Sequence, residues 1–407
     1  MAGTGRQRTR EINILAAMRA LISLGTASRS ELAAHVGLDR STMTHITSTL
    51  LAAGLIEPVA EAPAGSRGGR RAELLSVDRS RYAILSADLQ SRNPRWLLTN
   101  LRGERLQDGQ LGPSMPAAGG AVRRAWVEGI LDDLRHMVRS QPAGRQVIGV
   151  GIALPGLFDR SRTRLVESFE LGLRDVDLQA LWNCSSPPLF AANDATCYAW
   201  REIAARRDEL SRGEPTAADG VYVYTKFHTD GERFLATGMG VGVTIVADGH
   251  IVRGHRGAAG ELRGYRHSDD DEDQLGIDLE AIRRGEGQEA AITTAASELI
   301  RNLGVIASVL DPPRIVVCGD LGLSAERFRA IAAEINHAGR PEIEYRTAEP
   351  LAVARGAAQM VLEGLFSPDA QVDRPLLRPD TAPAMVPGSS NRESGFSRGI
   401  APENALQ

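Results

Sequence analysis

The chain has 407 residues, 43% hydrophobic and 24% charged, with a formal net charge of −4. This is an ordinary soluble globular composition, long enough for two or three domains that each bury a core. Its three cysteines, Cys184, Cys197 and Cys318, lie far apart without C-x-x-C spacing and suggest neither a disulfide framework nor a thiolate zinc site. No apolar run approaches the roughly 18–20 residues that span a bilayer, and no apolar stretch follows the Arg-rich start as in a secretory signal. A cytoplasmic protein with no membrane partner is expected. Charge is uneven: residues 1–81 hold eleven Arg against seven acids, a net +4, and the remainder is −8. A basic leading segment on an acidic body suits a nucleic-acid-binding module joined to a non-binding one. Lys226 is the only lysine and reads as genome composition bias.

In chain order, Ile14, Leu15, Met18, Leu21 and Ile22 form one face of a helix over 10–24. A second helix over 29–36 ends near Gly37. A third over 41–53 starts at Ser41 as N-cap and stops at Gly54. Leu55–Val59 and Ala72–Val77 read as strands around a glycine- and arginine-rich turn over 64–71. Beyond Asp78, strands are expected at Tyr82–Asp88, Trp96–Leu101, Val147–Leu154, Ser185–Ala192, Val221–Phe227, Ala236–Val246 and Arg314–Cys318. Helices are expected over 121–139, after Asn193-Asp194, over 290–309 and over 348–363. The alternation makes the body α/β. From Ser367 to Gln407 the chain is Pro-, Ser-, Asp- and Arg-rich without periodicity, and disorder is expected there. No internal repeat is visible, although two half-domains of similar design fit the pattern.

Arg29 to Ser48 fits a helix-turn-helix. Ala33 is small where the two helices approach, and Leu32, Val36, Leu38, Met43 and Ile46 take the core positions. The third helix then presents Arg40, Ser41, Thr42, Thr44, His45 and Ser48, short polar or cationic groups able to bond base edges or phosphates in a major groove. A three-helix bundle without a DNA role has the same pattern. The hairpin that follows favours DNA, because Arg67, Arg70 and Arg71 stand at a glycine-rich tip suited to a minor groove.

The body holds a series of short motifs: Gly149-Val150-Gly151-Ile152-Ala153-Leu154-Pro155-Gly156, Asn193-Asp194-Ala195, Thr237-Gly238-Met239-Gly240-Val241-Gly242-Val243 and Gly257-Ala258-Ala259-Gly260-Glu261. With the helix-turn-helix and Gly68-Gly69-Arg70-Arg71, their order over residues 10–365 resembles the ROK family (repressors, open reading frames and kinases), especially its sugar-responsive repressors. The resemblance implies an α/β chain with an N-terminal winged helix-turn-helix and a two-lobed actin-like, sugar-kinase-like domain with sugar in its cleft. The boundaries are then 1–78 for DNA binding, 79–366 for ligand binding and 367–407 for the tail. On the residues alone, Asp194 can act as a base on a sugar hydroxyl, Asn193 and Glu261 can pair with hydroxyls, and Gly238–Gly242 can admit a phosphate to backbone N–H groups. Asn-Asp after a strand is also a common helix cap, and glycines in a strand also mark a bulge.

The departures separate this chain from the family's kinases. Their first strand ends in a glycine- and threonine-containing phosphate loop; here the segment is Asp88-Leu89-Gln90-Ser91-Arg92-Asn93-Pro94. The family histidine three residues after the glutamate is Gly264 here, and no cysteine cluster follows. His255 and His267 without thiolates make a poor zinc site. Gly276-Ile277-Asp278-Leu279-Glu280 resembles the end of the lost cysteine motif, which makes Glu280 a further sugar contact. Glu170 stands where the family often has a sugar-contacting asparagine. The expectation is a repressor without kinase activity, zinc or cofactor. It binds a two-fold symmetric double-stranded DNA operator as a homodimer or tetramer, and a carbohydrate effector sets its affinity. The rivals are a sugar kinase with an added DNA-binding domain and a regulator that no longer binds ligand.

Overall fold

The structure, a computed structural model, describes residues 2–61, 72–90, 93–117, 119–159, 163–183, 187–206, 217–229, 236–264, 274–275, 287–319, 329–330, 341–347 and 349–367. The expected disordered tail therefore lies outside the described residues beyond Ser367.

Helix α1 (Ala2–Leu24) buries Ile14, Leu15, Met18, Leu21 and Ile22, the face read from the sequence. It begins well before residue 10, because its polar start lacks the apolar period by which a helix is recognised. Strand β1 (Ala27–Ser28) leads into α2 (Arg29–Val36), which Ser28 caps in a reciprocal box with Glu31. Gly37 ends α2 at φ 73°, a left-handed position that is strained for a residue with a Cβ. Helix α3 (Arg40–Ala52) is capped by Asp39, not by the expected Ser41. The Asp39 carboxylate accepts the Thr42 N–H at 2.8 Å and both the Ser41 and Thr42 hydroxyls, at 2.7 and 2.6 Å. A carboxylate with three donors outcompetes one hydroxyl for the cap. Strands β2 (Ile56–Glu61) and β3 (Glu73–Val77) pair antiparallel and form a three-stranded sheet with β1. This is the expected winged helix-turn-helix.

The body begins with β4 (Tyr82–Asp88), β5 (Arg95–Asn100), β6 (Arg105–Gln110), α4 (Ala121–Arg139) and β7 (Gln146–Ala153). A small sheet of β8 (Leu157–Phe158), β9 (Arg164–Ser168) and β10 (Leu173–Asp177) follows, then α5 (Leu178–Trp182), β11 (Leu189–Ala192) and α6 (Asp194–Ala205). The second half is β12 (Gly220–Thr229), β13 (Ala236–Ala247), β14 (His250–Val252), α7 (Gly287–Leu310), β15 (Arg314–Gly319), β16 (Glu342–Arg346) and α8 (Ala352–Phe366).

The two large sheets run β6-β5-β4-β7-β11 and β14-β13-β12-β15-β16. In each, the first strand pairs antiparallel with the second and parallel with the fourth, and the fifth adds in parallel. The two halves thus share one topology, a duplication that no sequence repeat announced. Each sheet is covered on both faces. In β4, Ala83, Leu85 and Ala87 face α4, while Ile84 faces the core containing α8. In the second sheet, Val221 and Val223 pack with α7, and Tyr222 packs with Ala199 and Ile203 of α6. The layers are therefore α4, first sheet, α8 and α6, second sheet, α7. The winged module is not loosely tethered. Ile14, Leu21, Leu50 and Leu75 belong to the same continuous core as Tyr82, Ile84, Met360 and Val361.

Candidate functional site

Two regions contain the chemistry that the sequence points to. The first is the exposed side of α3. Met43, Ile46 and Leu50 are buried, which turns Arg40, Ser41, Thr44, His45 and Ser48 to solvent and leaves Thr42 half-buried. Several of their protons are already engaged. Ser41 and Thr42 donate to Asp39, Thr44 donates to the Arg40 carbonyl at 2.8 Å, and Ser48 donates to the Thr44 carbonyl at 2.8 Å. Those hydroxyls retain acceptor capacity, so Arg40 and His45 are the outward groups best able to donate to an acceptor in a groove. Arg29 is turned inward, donating to Thr47 at 3.1 Å and pairing with Glu73 at 2.8 Å. Arg67, Arg70 and Arg71 lie outside the described residues.

The second region is the cleft between the large sheets, and it divides the sequence-predicted sensor residues in two. Asn193 caps α6: its Oδ1 accepts the Ala195 N–H at 2.8 Å and its Nδ2 donates to the Gly156 carbonyl at 3.1 Å. The cap reading is thus the one observed, and it ties two of the sequence motifs together. Asn193 still borders a cavity of about 50 Å³ with Asp159, Thr196, Thr244, Arg253 and Glu261. Burial raises the pKa of the Glu261 carboxyl and Arg263 opposes it, although the residue as a whole opens to solvent. Thr244 is 2% exposed and its Oγ1 has no hydrogen-bond partner among the described residues. Sequence reading missed Thr244 and Arg253, which sit in an ordinary strand and an ordinary loop.

Asp194 does not line that cavity. It belongs to a cluster with Asp88, Glu170 and Lys226. Asp88 is 6% exposed and accepts from the Gln90 N–H at 3.0 Å and Gln90 Nε2 at 3.3 Å. Burial raises its pKa, with Gln90 opposing. The Asp194 carboxyl is pushed up to about 7, first by burial; Lys226 opposes this, and Glu170 and Asp88 add to it. Lys226, set aside in the sequence as composition bias, pairs with Glu170 at 3.2 Å. No local pattern marks a lone lysine on a strand. Glu280 and His267 lie outside the described residues, and His255 is exposed. Among the described residues no group of three His, Cys, Asp or Glu side chains is placed to hold a metal.

The glycine run over 238–242 and the segment after β4 are both tied into the sheets. Gly238, Gly240 and Gly242 lie within β13, opposite His228, Lys226 and Tyr224 of β12. They form part of a sheet ladder, and a side chain on Gly242 would strike Ala195 at 2.3 Å. The end of β4 is similar: the Leu89 N–H donates to the Ala153 carbonyl at 2.9 Å and the Gln90 N–H to Asp88.

Asp194 makes stability depend on pH. Its folded pKa of about 7 lies above the ordinary 3.8, so its contribution is complete below pH 3.8 and is lost as pH rises through 7. A tenfold difference in proton affinity between the folded and unfolded chain is worth about 1.4 kcal/mol. Asp194→Asn is expected to gain about 2 kcal/mol on the parent protein between pH 5 and 8 in urea denaturation. A constant difference across that range contradicts the assignment.

The ROK family model matches residues 97–213. The chain is 23% identical over 257 residues to the xylose repressor of Bacillus subtilis (strain 168), covering 62% of this chain and 60% of that one. It is 23% identical over 256 residues to the xylose repressor of Caldicellulosiruptor bescii, covering 62% and 58%. The chain thus spans about 60% of the length of these relatives. Among solved structures it is similar to a ROK family transcriptional regulator described as a homolog of the E. coli MLC protein. That match has a TM-score of 0.64 and 18% identity over 88% of this chain and 97% of that one. The shared fold is the winged module followed by the two-lobed actin-like body. No helix among the described residues is long and apolar enough to cross a membrane.

Proposed function

We propose that the chain is a DNA-binding transcription repressor of the ROK type, whose operator affinity is set by a sugar or sugar derivative. The observation that carries this reading is the core shared by the winged module and the two-lobed body. A change in lobe arrangement reaches the reading helix through packed side chains. The path runs from Asn193 and Asp194 at the start of α6, across the α6–α8 contact, to α1, where Arg19 pairs with Glu363 at 3.6 Å. A ligand that binds one lobe arrangement better shifts the population and alters the spacing of paired winged modules.

In this reading residues 1–78 contact DNA through Arg40, Ser41, Thr42, Thr44, His45, Ser48 and the wing arginines Arg67, Arg70 and Arg71. Residues 79–366 hold the ligand through Asn193, Asp194, Glu261 and Glu280. Two copies or a dimer of dimers, in the cytoplasm, read a two-fold symmetric site. The engaged N–H groups at the end of β4 and in β13 support a sensor rather than a kinase. The names of the relatives make xylose the first sugar to test.

The test is binding of purified protein to the DNA upstream of its own gene over a salt series. Affinity is expected to fall steeply with salt as phosphate counterions are released. Arg70→Ala with Arg71→Ala should weaken binding to every sequence. Arg40→Ala or His45→Ala should change sequence preference by about 1–3 kcal/mol. Absence of any salt-dependent binding to that DNA refutes the proposal.

A further inference from the structure

Lys226 is the only lysine of the chain, and it joins the two halves of the body. It lies on β12 of the second large sheet. Its Nζ donates to the backbone carbonyl of Gln90, which follows β4 of the first sheet, and stands 3.2 Å from Glu170 Oε1, between β9 and β10. A second bond crosses at the same level, from Gln90 Nε2 to the Tyr224 hydroxyl at 2.9 Å. Both charged side chains are mostly covered, 26% exposed for Lys226 and 20% for Glu170. An ion pair sheltered in this way is screened less than one on the surface.

Two further observations describe what this contact closes. The neighbouring cavity bordered by Asn193 and Glu261 measures about 50 Å³. That admits a few waters. Gln90, 4% exposed, keeps its Oε1 without a hydrogen-bond partner among the described residues. A buried acceptor left unmatched disfavours the closed arrangement, so some other contact must hold it.

We propose that Lys226 is a latch: its ammonium, held by Glu170 and the Gln90 carbonyl, keeps the lobes closed, and a sugar enters only after that contact breaks. The role of the latch in sensing rests on the function proposed above; the latch itself is testable with no ligand present.

A lone lysine makes the test direct. An acetylating N-hydroxysuccinimide ester reacts with Lys226 and the N-terminal amine only, and peptide mass spectrometry separates the two. In the native full-length protein Lys226 is expected to react at least about tenfold more slowly than in the same protein unfolded in urea, because reaction waits on opening. Glu170→Gln, which keeps the size but not the charge, should speed native labelling severalfold while far-ultraviolet circular dichroism stays unchanged. If that variant does not fold, Tyr224→Phe, which removes the second cross-cleft bond, should speed labelling in its place. Native labelling as fast as in urea overturns the latch, as does a rate that the folded variant leaves unchanged. Because the probe is the reagent alone, failure of the latch and failure of a sugar response are separate results.

Discussion

Gly356→Ala is expected to destabilise the protein by about 3 kcal/mol, the upper end of overpacking costs. A Cβ at Gly356 would lie 1.6 Å from the carbonyl oxygen of Cys197 and 2.4 Å from its carbon. Both are backbone atoms of α6, so no side chain can swing aside. Relief requires α6 and α8 to separate, and these helices are the inner layers on which both large sheets pack. The substitution should therefore also disturb the cleft, whose Asp194 opens α6. Urea unfolding measures the first effect, and a loss below about 1 kcal/mol would show that the helices do not touch as described. A large loss with an unchanged cleft would show that the lobes are held together elsewhere.

Asp78→Ala is expected to cost a similar amount, about 3 kcal/mol, at the junction of the winged module and the body. Asp78 is 8% exposed, and its Oδ1 accepts the N–H groups of Ser80, Arg81 and Tyr82 at 3.1, 2.6 and 3.3 Å. Its own N–H donates to the Leu55 carbonyl, and the Tyr82 hydroxyl donates to the Ala53 carbonyl at 2.7 Å. One side chain thus fixes the turn from β3 into β4. Removing it leaves charge-assisted bonds unmade and loosens the joint without touching α3. Binding to DNA should persist while any effect of ligand on it weakens. If stability and ligand response both match the parent protein, the rigid junction is not the route of coupling.

The parts of this molecule that could be read from sequence are those governed by local rules. The apolar face of α1, the Gly37 turn and the β2–β3 hairpin follow from period, φ and turn composition within a few residues of each other. Sequence alone misplaces the cap of α3 because Ser41 and Asp39 are both capping residues, and only the structure shows three donors converging on the carboxylate. The duplicated body topology is a property of strand pairing, which the unlike sequences of the two halves do not display. The candidate sensor was readable only in part. Asn193, Asp194 and Glu261 stand in recognisable motifs, but their separation into a cavity wall and a charge cluster depends on how α6 enters the cleft. Lys226 and Gln90 meet across 136 positions of chain, beyond any window of residues.

The proposed repressor must bind DNA and be released from it by a sugar. The most direct measurement is fluorescence anisotropy of labelled upstream DNA with the full-length protein, titrated with free xylose and then with a panel of sugars and sugar phosphates. At least one sugar is expected to weaken binding by roughly 5- to 150-fold, the usual range of a coupling of about 1–3 kcal/mol. Asp194→Ala and Glu261→Ala are expected to abolish the response while leaving sugar-free binding intact. DNA affinity indifferent to every sugar tested, or variants that respond like the parent protein, would contradict the proposal.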